Sequence, residues 1–401
     1  MIKVCIIGVS GFGNVHYETL LSEHAAGNVD IAGATIINQD EETEKCDHLR
    51  ELGCRIFSDY NEMLKYLSGK AELCIIPTGI PLHRPMTVAA VEAGMHVLVE
   101  KPAAGCIQDV HSMRQAANRA NKAVAVAYQH LYAPTTLETK RAILNGLVGD
   151  IAVIKCQARK PRDNRYYNRN NWAGRLQIAD TWVLDSPLNN AMAHQLMMML
   201  FLAGPSERQA AIPISVEAEL YRANEIESAD TVCVRVRTST SATVLFYATH
   251  ACNDNREPEI YVRGTRGRIL WTQHGLIIEP DAGSKQELRT DMNDLRKCMM
   301  YSVYDMVRGG PAFYCDLALA SLQTIVVNAA HEACAIHTLK GQTLLENDGS
   351  ARTVIPGIDE VMENAFQEEK LFHESDVPWA QPAGCLSCDD YQEFKINHRL
   401  N

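Results

Sequence analysis

The stretch IIGVSGFGNVH, residues 6–16, decides the fold, because it joins an apolar strand to a helix through a glycine-rich turn. Glycine permits positive φ and a close backbone approach, and the helix N-terminus that follows offers N–H groups to an anion. Ser10 occupies the middle position of the G-x-G-x-x-G dinucleotide fingerprint, where its small hydroxyl can still donate to a phosphate oxygen. We therefore expect a dinucleotide pyrophosphate to contact five residues: Gly8, Ser10, Gly11, Phe12 and Gly13.

One other interpretation of this turn is open, and a second is not supported. It could be a plain strand–helix connection with tolerated glycines. A G-x-S-x-G nucleophile elbow, by contrast, would need glycine where Phe12 stands. The position of the turn, on the first strand of a strand–helix series, favours the dinucleotide.

Length and composition indicate two globular domains. The chain has 401 residues, of which 46% are apolar and 22% charged. A net charge of −11 argues against a nucleic-acid partner, and no apolar run is long enough to span a membrane. Thirteen irregularly spaced cysteines, with no secretion signal, predict reduced thiols and a cytoplasmic location.

No metal site is expected. Cys385 and Cys388 form a lone C-x-x-C that lacks further ligands at a suitable spacing, so we interpret it as part of a surface tail. His331 and His337 are six residues apart, which does not place two side chains on one face of a helix.

Residues 1–130 alternate strands with helices, which predicts a doubly wound parallel sheet with both faces covered. This is the arrangement of a Rossmann dinucleotide-binding domain. The strands are expected at 3–9, 29–37, 54–57, 71–78, 96–102 and 123–128.

Residues 131–355 predict a second α/β domain, built on an open and mostly antiparallel sheet. Its strands alternate apolar and polar residues, as in a sheet with one solvated face. Helices are expected over 188–204 and over 315–339, and the second of these is largely apolar. Residues 356–401 are polar and weakly patterned, and are interpreted as a C-terminal arm or cover.

The residues after the second strand bear on the choice of cofactor. An acidic residue there normally meets the adenosine ribose, but Ile36, Ile37 and Asn38 occupy the expected positions and Asp40 comes late. No Arg or Lys stands there to bind a 2′-phosphate. NAD is therefore favoured, NADP stays possible, and Asn38 is expected to contact the cofactor.

Several motifs in a fixed order carry a family resemblance. A strand ends in Glu100-Lys101-Pro102, and the other motifs are IPTGIPLHRP (76–85), VAYQHLYAP (126–134), LNNAMAHQLMMMLFLAG (188–204) and the helix at 315–339. Together they resemble the Gfo/Idh/MocA family of glucose–fructose oxidoreductase and inositol dehydrogenase. The resemblance implies a Rossmann domain followed by an α/β domain with an open sheet. It also implies hydride transfer between NAD(P) and a sugar, cyclitol or related polyol, and a homodimer or homotetramer that uses the exposed sheet.

The resemblance implies roles for residues of the first domain. Lys101 matches the catalytic lysine of the family, which would take the proton of the substrate alcohol. Burial beside a cationic nicotinamide can lower the pKa of such a lysine. Glu100 would orient Lys101, and Pro102 fixes the backbone after it. Further cofactor contacts are expected at Thr78, His83, Glu100, Lys101 and Gln129.

In the second domain His194 matches the second acid/base of the family, although a lone histidine in an apolar helix is more often a core residue. The family often has Asp four residues earlier, on the same helix face. Here that position is Asn190, which can hydrogen-bond the substrate but cannot take a proton. Asp185 is the candidate for the missing carboxylate.

The basic and aromatic stretch ARKPRDNRYYNRNNWAGR, residues 158–175, is the candidate substrate loop. Rings can stack on a sugar face, and amides and guanidinium groups can bind hydroxyls or a carboxylate. The alternative is an irregular crossover held by local salt bridges. The residues expected to contact substrate are Tyr167, Arg169, Trp172, Asn190 and His194.

Three functions are compatible with these residues. The first is a nicotinamide-dependent dehydrogenase of a sugar or polyol, with Lys101 and His194 as acid/base. The second is a glycoside-cleaving enzyme of the same family that uses NAD transiently, without net redox. The third is a ligand sensor on the same fold; the pair of acid/base residues argues against it, and the missing aspartate argues for it.

Overall fold

The structure, a computed structural model, describes residues 1–289 and 295–395. The chain divides into two compact units. Unit 1 comprises Met1–Ala104, Gln108–Tyr132 and the described part of Asn293–Ala320. Unit 2 comprises Gly105–Ile107 and the described parts of Ala133–Met292 and Ser321–Asn401.

Unit 1 is built on a six-stranded parallel sheet in the order β3-β2-β1-β4-β5-β6. Its central strands are buried along almost their whole length, as expected for a sheet with both faces covered. The elements are β1 (Ile2–Ile7), α1 (Gly13–Ala25), β2 (Val29–Thr35), α2 (Thr43–Glu51), β3 (Arg55–Phe57), α3 (Tyr60–Leu67), β4 (Leu73–Ile76), α4 (Ile80–Glu92), β5 (His96–Val99), α5 (Ile107–Ala120) and β6 (Val124–Val126). The predicted doubly wound fold is confirmed.

The rest of the chain supplies unit 2 and returns once to unit 1. The elements are α6 (Pro134–Leu144), β7 (Ile151–Arg159), α7 (Asn164–Asn168), β8 (Gln177–Ile178), β9 (Thr181–Trp182), α8 (Ala193–Leu202), β10 (Pro213–Arg222), β11 (Thr231–Thr238), β12 (Thr243–Thr249), β13 (Arg256–Gly264), β14 (Gly267–Thr272), β15 (Gly275–Pro280), β16 (Gln286–Arg289), α9 (Leu295–Val307), α10 (Leu317–Ala333), β17 (Ile336–Thr338), β18 (Gln342–Leu345), β19 (Ala351–Val354), α11 (Ile358–Glu368) and β20 (Gly384–Ser387). Among the described residues, no helix is long and apolar enough to cross a membrane.

Unit 2 is built on a ten-stranded, mostly antiparallel sheet in the order β16-β15-β14-β13-β7-β12-β11-β10-β17, with β20 also paired to β10. Among the strands that the structure describes in this sheet, only β7 with β12 and β10 with β17 run parallel. This confirms the predicted open sheet. The lone C-x-x-C motif spans the end of β20, where Cys385 is exposed and Cys388 is buried.

One face of this sheet was predicted to be solvated, and the structure differs. The face carries polar residues, yet a segment that we call the cover segment, residues 356–381, packs on it. Apolar residues of this segment bury against the sheet: Ile358, Met362, Ala365, Phe366, Leu371 and Phe372. The polar pattern of the strands therefore marks pairing with the cover segment rather than contact with water.

The helix predicted over 188–204 is divided in two. Residues 187–191 form a π-helical turn, capped by Ser186, whose Oγ accepts from the Asn189 N–H at 3.2 Å. Met192 then leaves helical geometry, with φ −119° and ψ 20°, and α8 begins at Ala193. The helix predicted over 315–339 is α10, and it ends before β17.

A buried lysine of α6 caps the C-terminal end of α8. Lys140 of α6 is 1% exposed, and its Nζ donates to the carbonyl oxygens of Phe201 (2.6 Å), Gly204 (2.5 Å) and Gln209 (3.3 Å). The Phe201 carbonyl lies in the last turn of α8, where carbonyls lack partners within the helix, and Gly204 and Gln209 lie in the chain that follows. Burial lowers the pKa of Lys140 to about 7. Because α8 also carries His194, this contact fixes the helix at the end opposite that residue.

We expect Lys140→Met to lower the free energy of unfolding by about 2–4 kcal/mol, because it leaves buried carbonyls unsatisfied. Urea unfolding followed by circular dichroism measures this. Arg141→Met is the control, since its exposed neighbouring side chain should change stability by less than about 0.5 kcal/mol. Equal losses in both variants would contradict the assignment.

Candidate functional site

The glycine loop of unit 1 is closed on one side and open on the other. Gly8 and Gly11 have positive φ, +94° and +54°. A Cβ on Gly13 would lie 2.7 Å from the Gly8 carbonyl oxygen, so this position requires glycine. A Cβ on Gly11 would meet no atom within 4 Å. The open side at the start of α1 therefore has room for a cofactor phosphate, and the loop fits the dinucleotide predicted for it.

The side chains after β2 are tied to the loop. Ser10 Oγ donates to Asn38 Oδ1 at 3.2 Å, and Asn38 Nδ2 donates to Glu41 at 2.9 Å. Lys45 Nζ donates to the Val9 carbonyl and pairs with Glu42 at 2.8 Å. The nearby lysine is thus already neutralised, and the two carboxylates oppose a 2′-phosphate. This geometry favours NAD over NADP.

A buried carboxylate connects α1 to the end of β5. Glu100 Oε1 lies 2.8 Å from His16 Nε2, and Glu100 Oε2 accepts the backbone N–H of Lys101 at 3.0 Å. Burial acts to raise the pKa of Glu100, but the hydrogen bond and charge of His16, together with Lys101, lower it below its ordinary value. Glu100 therefore holds the main chain at Lys101. The sequence analysis missed His16, although it lies in the glycine-rich stretch.

His83 is held by backbone on both sides. Its Nδ1 lies 2.8 Å from the Pro102 carbonyl oxygen, and its Nε2 lies 3.0 Å from that of Thr78. Burial lowers the pKa of His83. The ring joins the loop after β4 to the residue that follows Lys101. Both ring nitrogens thus lie within hydrogen-bond distance of main-chain carbonyls, which fixes the orientation of the ring.

Gln129 opens a 3-10 turn, Gln129–Tyr132, directly after β6. The pKa of its neighbour His130 falls to about 4 through burial, with the charges of Arg296 and Lys101 adding to the effect. The Arg296 guanidinium, on α9, lies 5.7 Å from the centre of the Phe12 ring in the glycine loop. No sequence pattern links α9 to this loop, so the sequence analysis missed this cation.

In unit 2 a buried carboxylate organises the predicted substrate residues. Asp185, 4% exposed, accepts from Asn190 Nδ2 at 2.8 Å and from the Gly174 N–H at 2.6 Å. Arg169 Nη2 lies 3.8 Å from the same carboxylate. The structure thus brings three predicted residues together, Asp185, Asn190 and Arg169. Both carboxylate oxygens are engaged, which suits a positioning role better than proton transfer.

His194 is the one residue of α8, a helix that the structure describes completely, whose side chain is not fully buried. This exposure argues against the core interpretation. Asn190 and His194 were expected to share one helix face, because they are four residues apart. Met192 interrupts the helix between them, so the two residues do not lie on one regular helix.

The stretch 158–175 contains both scaffold and candidate contacts. Arg165 pairs with Asp163 and Asp348, and Arg175 pairs with Glu227, so these cations hold the loop in place. Arg169, in contrast, stacks on the rings of Tyr166 (3.7 Å) and Trp172 (5.3 Å). The Tyr167 hydroxyl is buried and has no hydrogen-bond partner among the described residues. The two interpretations of this stretch therefore apply to different residues.

Comparison with protein-family models gives two matches. Residues 2–128 match the Gfo/Idh/MocA "oxidoreductase family, NAD-binding Rossmann fold" model. Residues 136–270 match the Gfo/Idh/MocA C-terminal domain model. The predicted NAD-binding domain is thereby confirmed.

Curated relatives match parts of the chain. An inositol 2-dehydrogenase/D-chiro-inositol 3-dehydrogenase of Halalkalibacterium halodurans is 20% identical over 201 residues, 49% of this chain and 51% of the relative. A D-glucoside 3-dehydrogenase of Escherichia coli is 29% identical over 103 residues, 26% of this chain and 29% of the relative. The chain spans about half or less of the length of the curated relatives it matches.

Solved structures share the fold. An NAD-binding oxidoreductase from Klebsiella pneumoniae has a TM-score of 0.68 and 19% identity, covering 82% of this chain and 95% of that one. Levoglucosan dehydrogenase in complex with NADH and levoglucosan has a TM-score of 0.70 and 17% identity, covering 82% and 96%. At this identity the likeness establishes the fold.

We expect Gly13→Ala to weaken NAD binding at least about tenfold, because the added Cβ meets the Gly8 carbonyl. In an ordinary helix the same change would stabilise the protein by up to about 1 kcal/mol. Calorimetric titration with NAD measures the affinity, and Ser22→Ala, on the exposed side of α1, is the control. Unchanged affinity in Gly13→Ala would contradict the assignment of the loop.

Proposed function

Because the chain belongs to the Gfo/Idh/MocA oxidoreductase family, we propose that it is an NAD-dependent dehydrogenase acting on a CH–OH group of a sugar, cyclitol or related polyol. The carrying observation is that Glu100 holds the Lys101 backbone and, through His16, the helix that follows the glycine loop. Relatives named as inositol and glucoside dehydrogenases support the substrate class.

We place the proton transfer at Lys101. When bound, NAD supplies the acceptor for the hydride of the alcohol carbon. Lys101 then removes the proton of the alcohol oxygen, since both must leave for a carbonyl to form. Glu100 and His83 fix the main chain on either side of Lys101, which limits the positions that its amine can reach. The glycine loop and Asn38 would hold the dinucleotide when it binds.

We place substrate recognition in unit 2. Asn190 donates its Nδ2 to Asp185 at 2.8 Å, and this hydrogen bond orients an amide that suits recognition of a substrate hydroxyl. Arg169, held beside Asp185, and the aromatic residues Tyr167 and Trp172 complete the recognition set. His194 is proposed as the second acid/base, because it is the one partly exposed residue of an otherwise buried helix.

We also propose a cytoplasmic location. All thirteen cysteines are free thiols and twelve of them are wholly or partly buried. Disulfides persist mainly in oxidising compartments, so a chain with this many unpaired thiols suits a reducing one.

The test is to identify any nicotinamide released from the purified protein and then to screen polyols, sugars and glycosides. NADH formation with a polyol or sugar supports the proposal. Glycoside cleavage without net NADH formation would assign the transient-NAD reaction instead. Ligand binding with neither reaction would assign a sensor.

Lys101→Met keeps the length of the side chain and removes the amine. We expect kcat to fall by about two to four orders of magnitude with the affinity for NAD largely retained, as for loss of a general acid/base. Stopped-flow turnover and calorimetry measure the two effects. Lys65→Met, at an exposed position on α3, is the control. Near-normal turnover in Lys101→Met would make Lys101 structural.

Asp185→Asn tests whether this carboxylate positions its neighbours or transfers a proton. Loss of its charge releases Arg169 and Asn190, so we expect KM for the substrate to rise about 10- to 100-fold, with a smaller change in kcat. Steady-state kinetics give the split, and exposed Asp180→Asn is the control. A fall in kcat with loss of one limb of the pH profile would show that Asp185 is an acid/base.

A further inference from the structure

The cover segment, residues 356–381, occupies the face of the ten-stranded sheet that carries polar residues. Alternate residues of β7 show the arrangement: Ile154, Cys156 and Ala158 are buried in the other face, while Lys155 and Gln157 contact the cover segment. We propose that this face is reserved for the chain's own C-terminal segment and is closed to a second copy of the protein. The family resemblance implies that this sheet face contacts a second copy. In this protein the cover segment of the same chain would take the place of that copy.

Charge complementarity supports this assignment. The cover segment has seven acidic residues and one lysine, and the cations on this sheet face and its margin pair with its carboxylates. The pairs are Lys155 with Glu369 (3.4 Å), Arg159 with Asp359 (3.6 Å), Arg263 with Glu369 (2.5 Å), Arg235 with Glu374 and Arg256 with Glu363. Arg235 and Arg256 also pair with the sheet residues Glu217 (3.0 Å) and Glu259 (2.9 Å), so each of these two cations joins the sheet to the cover segment.

Side chains of the sheet also donate hydrogen bonds to carbonyls at the C-terminal end of α11. The Tyr247 hydroxyl donates to the carbonyls of Ala365 (3.2 Å) and Lys370 (2.8 Å), and Lys155 Nζ donates to that of Phe366 (2.8 Å). The last carbonyls of a helix lack internal partners and attract positive charge. Lys155 and Tyr247 are themselves buried, so removal of the helix would leave both without these acceptors.

An apolar layer lies under the ion pairs. Ile358, Met362 and Phe366 pack with residues of four central strands: Val153, Tyr221, Cys233, Leu245 and Tyr247. Phe372 and Trp379 add ring contacts to Tyr221, at 6.4 and 5.1 Å between centroids. Release of the cover segment would therefore expose a contiguous apolar patch, a surface that associates with another apolar surface.

The continuation of the chain closes the edge of the same sheet. After the cover segment, β20 adds to β10 in antiparallel register, from Ser215 with Ser387 to Ala218 with Gly384. Strand edges are a second route to pairing between copies, and a covered edge removes it. The C-terminal part of the chain thus protects both the face and an edge.

The test compares two full-length triple variants of equal charge change. Glu363→Lys, Glu369→Lys and Glu374→Lys reverse carboxylates that pair with sheet cations. Glu360→Lys, Glu368→Lys and Asp376→Lys reverse exposed carboxylates of the same segment, and serve as the control. Hydrogen exchange of 358–374 and sedimentation velocity over a range of protein concentrations are the measurements, and NAD affinity monitors the folding of unit 1.

In the pairing triple we expect amide protection over 358–374 to fall at least tenfold and the sedimentation coefficient to rise with concentration. The wild type and the control triple should keep their protection at every concentration. A second variant, Phe366→Ser with Phe372→Ser, removes the apolar anchors and should behave like the pairing triple. An assembly of the wild type that leaves exchange over 358–374 unchanged uses another surface and supports the proposal.

Three results would overturn the proposal. The first is a gain of protection over 358–374 with rising concentration of the wild type, which would mean that a second copy docks there. The second is retention of full protection in both weakened variants. The third is release of the segment without any self-association, which would show that the uncovered face is not an interface.

Discussion

The buried Glu100 carboxylate is the interaction on which the rest of unit 1 depends. One oxygen meets His16, three residues into the helix that follows the glycine loop, and the other holds the backbone of Lys101. A buried carboxylate is costly unless it is paired and hydrogen-bonded, so the geometry of both partners is closely determined. The loop that would hold the cofactor phosphates and the lysine that would move a proton are thus positioned by a single group.

Unit 2 uses the same physical device. Asp185 is buried, accepts hydrogen bonds at both oxygens, and thereby orients Asn190 and holds Arg169 near the aromatic residues of the candidate substrate loop. The family aspartate is replaced by Asn190, but a carboxylate lies directly beside it. Under the proposed function, the Asn190 amide contacts the substrate and the Asp185 carboxylate orients that amide.

The sequence was sufficient to predict the features that depend on local residue patterns. The six strands of unit 1 and the glycine loop follow from apolar periodicity and from the turn after the first strand, whereas the role expected for Lys101 follows from the family resemblance. The pairing of His16 with Glu100 was not predictable, because 84 residues separate the two and no single motif contains both. The break at Met192 arises because Asn189 bonds Val183 and Gln323, so tertiary contacts override the helical pattern. The sequence analysis interpreted residues 356–401 as an arm or cover but could not place them on the sheet, because the carboxylates of the cover segment pair with cations more than 100 residues away.

The central claim is that the protein removes a hydride from an alcohol carbon while Lys101 takes the proton. Transfer of deuterium tests it most directly. The protein is supplied with NAD and with polyols or sugars deuterated at their carbinol carbons, and the reduced cofactor is analysed by mass spectrometry. We predict NADH that is one mass unit heavier and formed more slowly than with the unlabelled substrate. Reduced cofactor without deuterium, or no reduction with any labelled alcohol, would contradict the account.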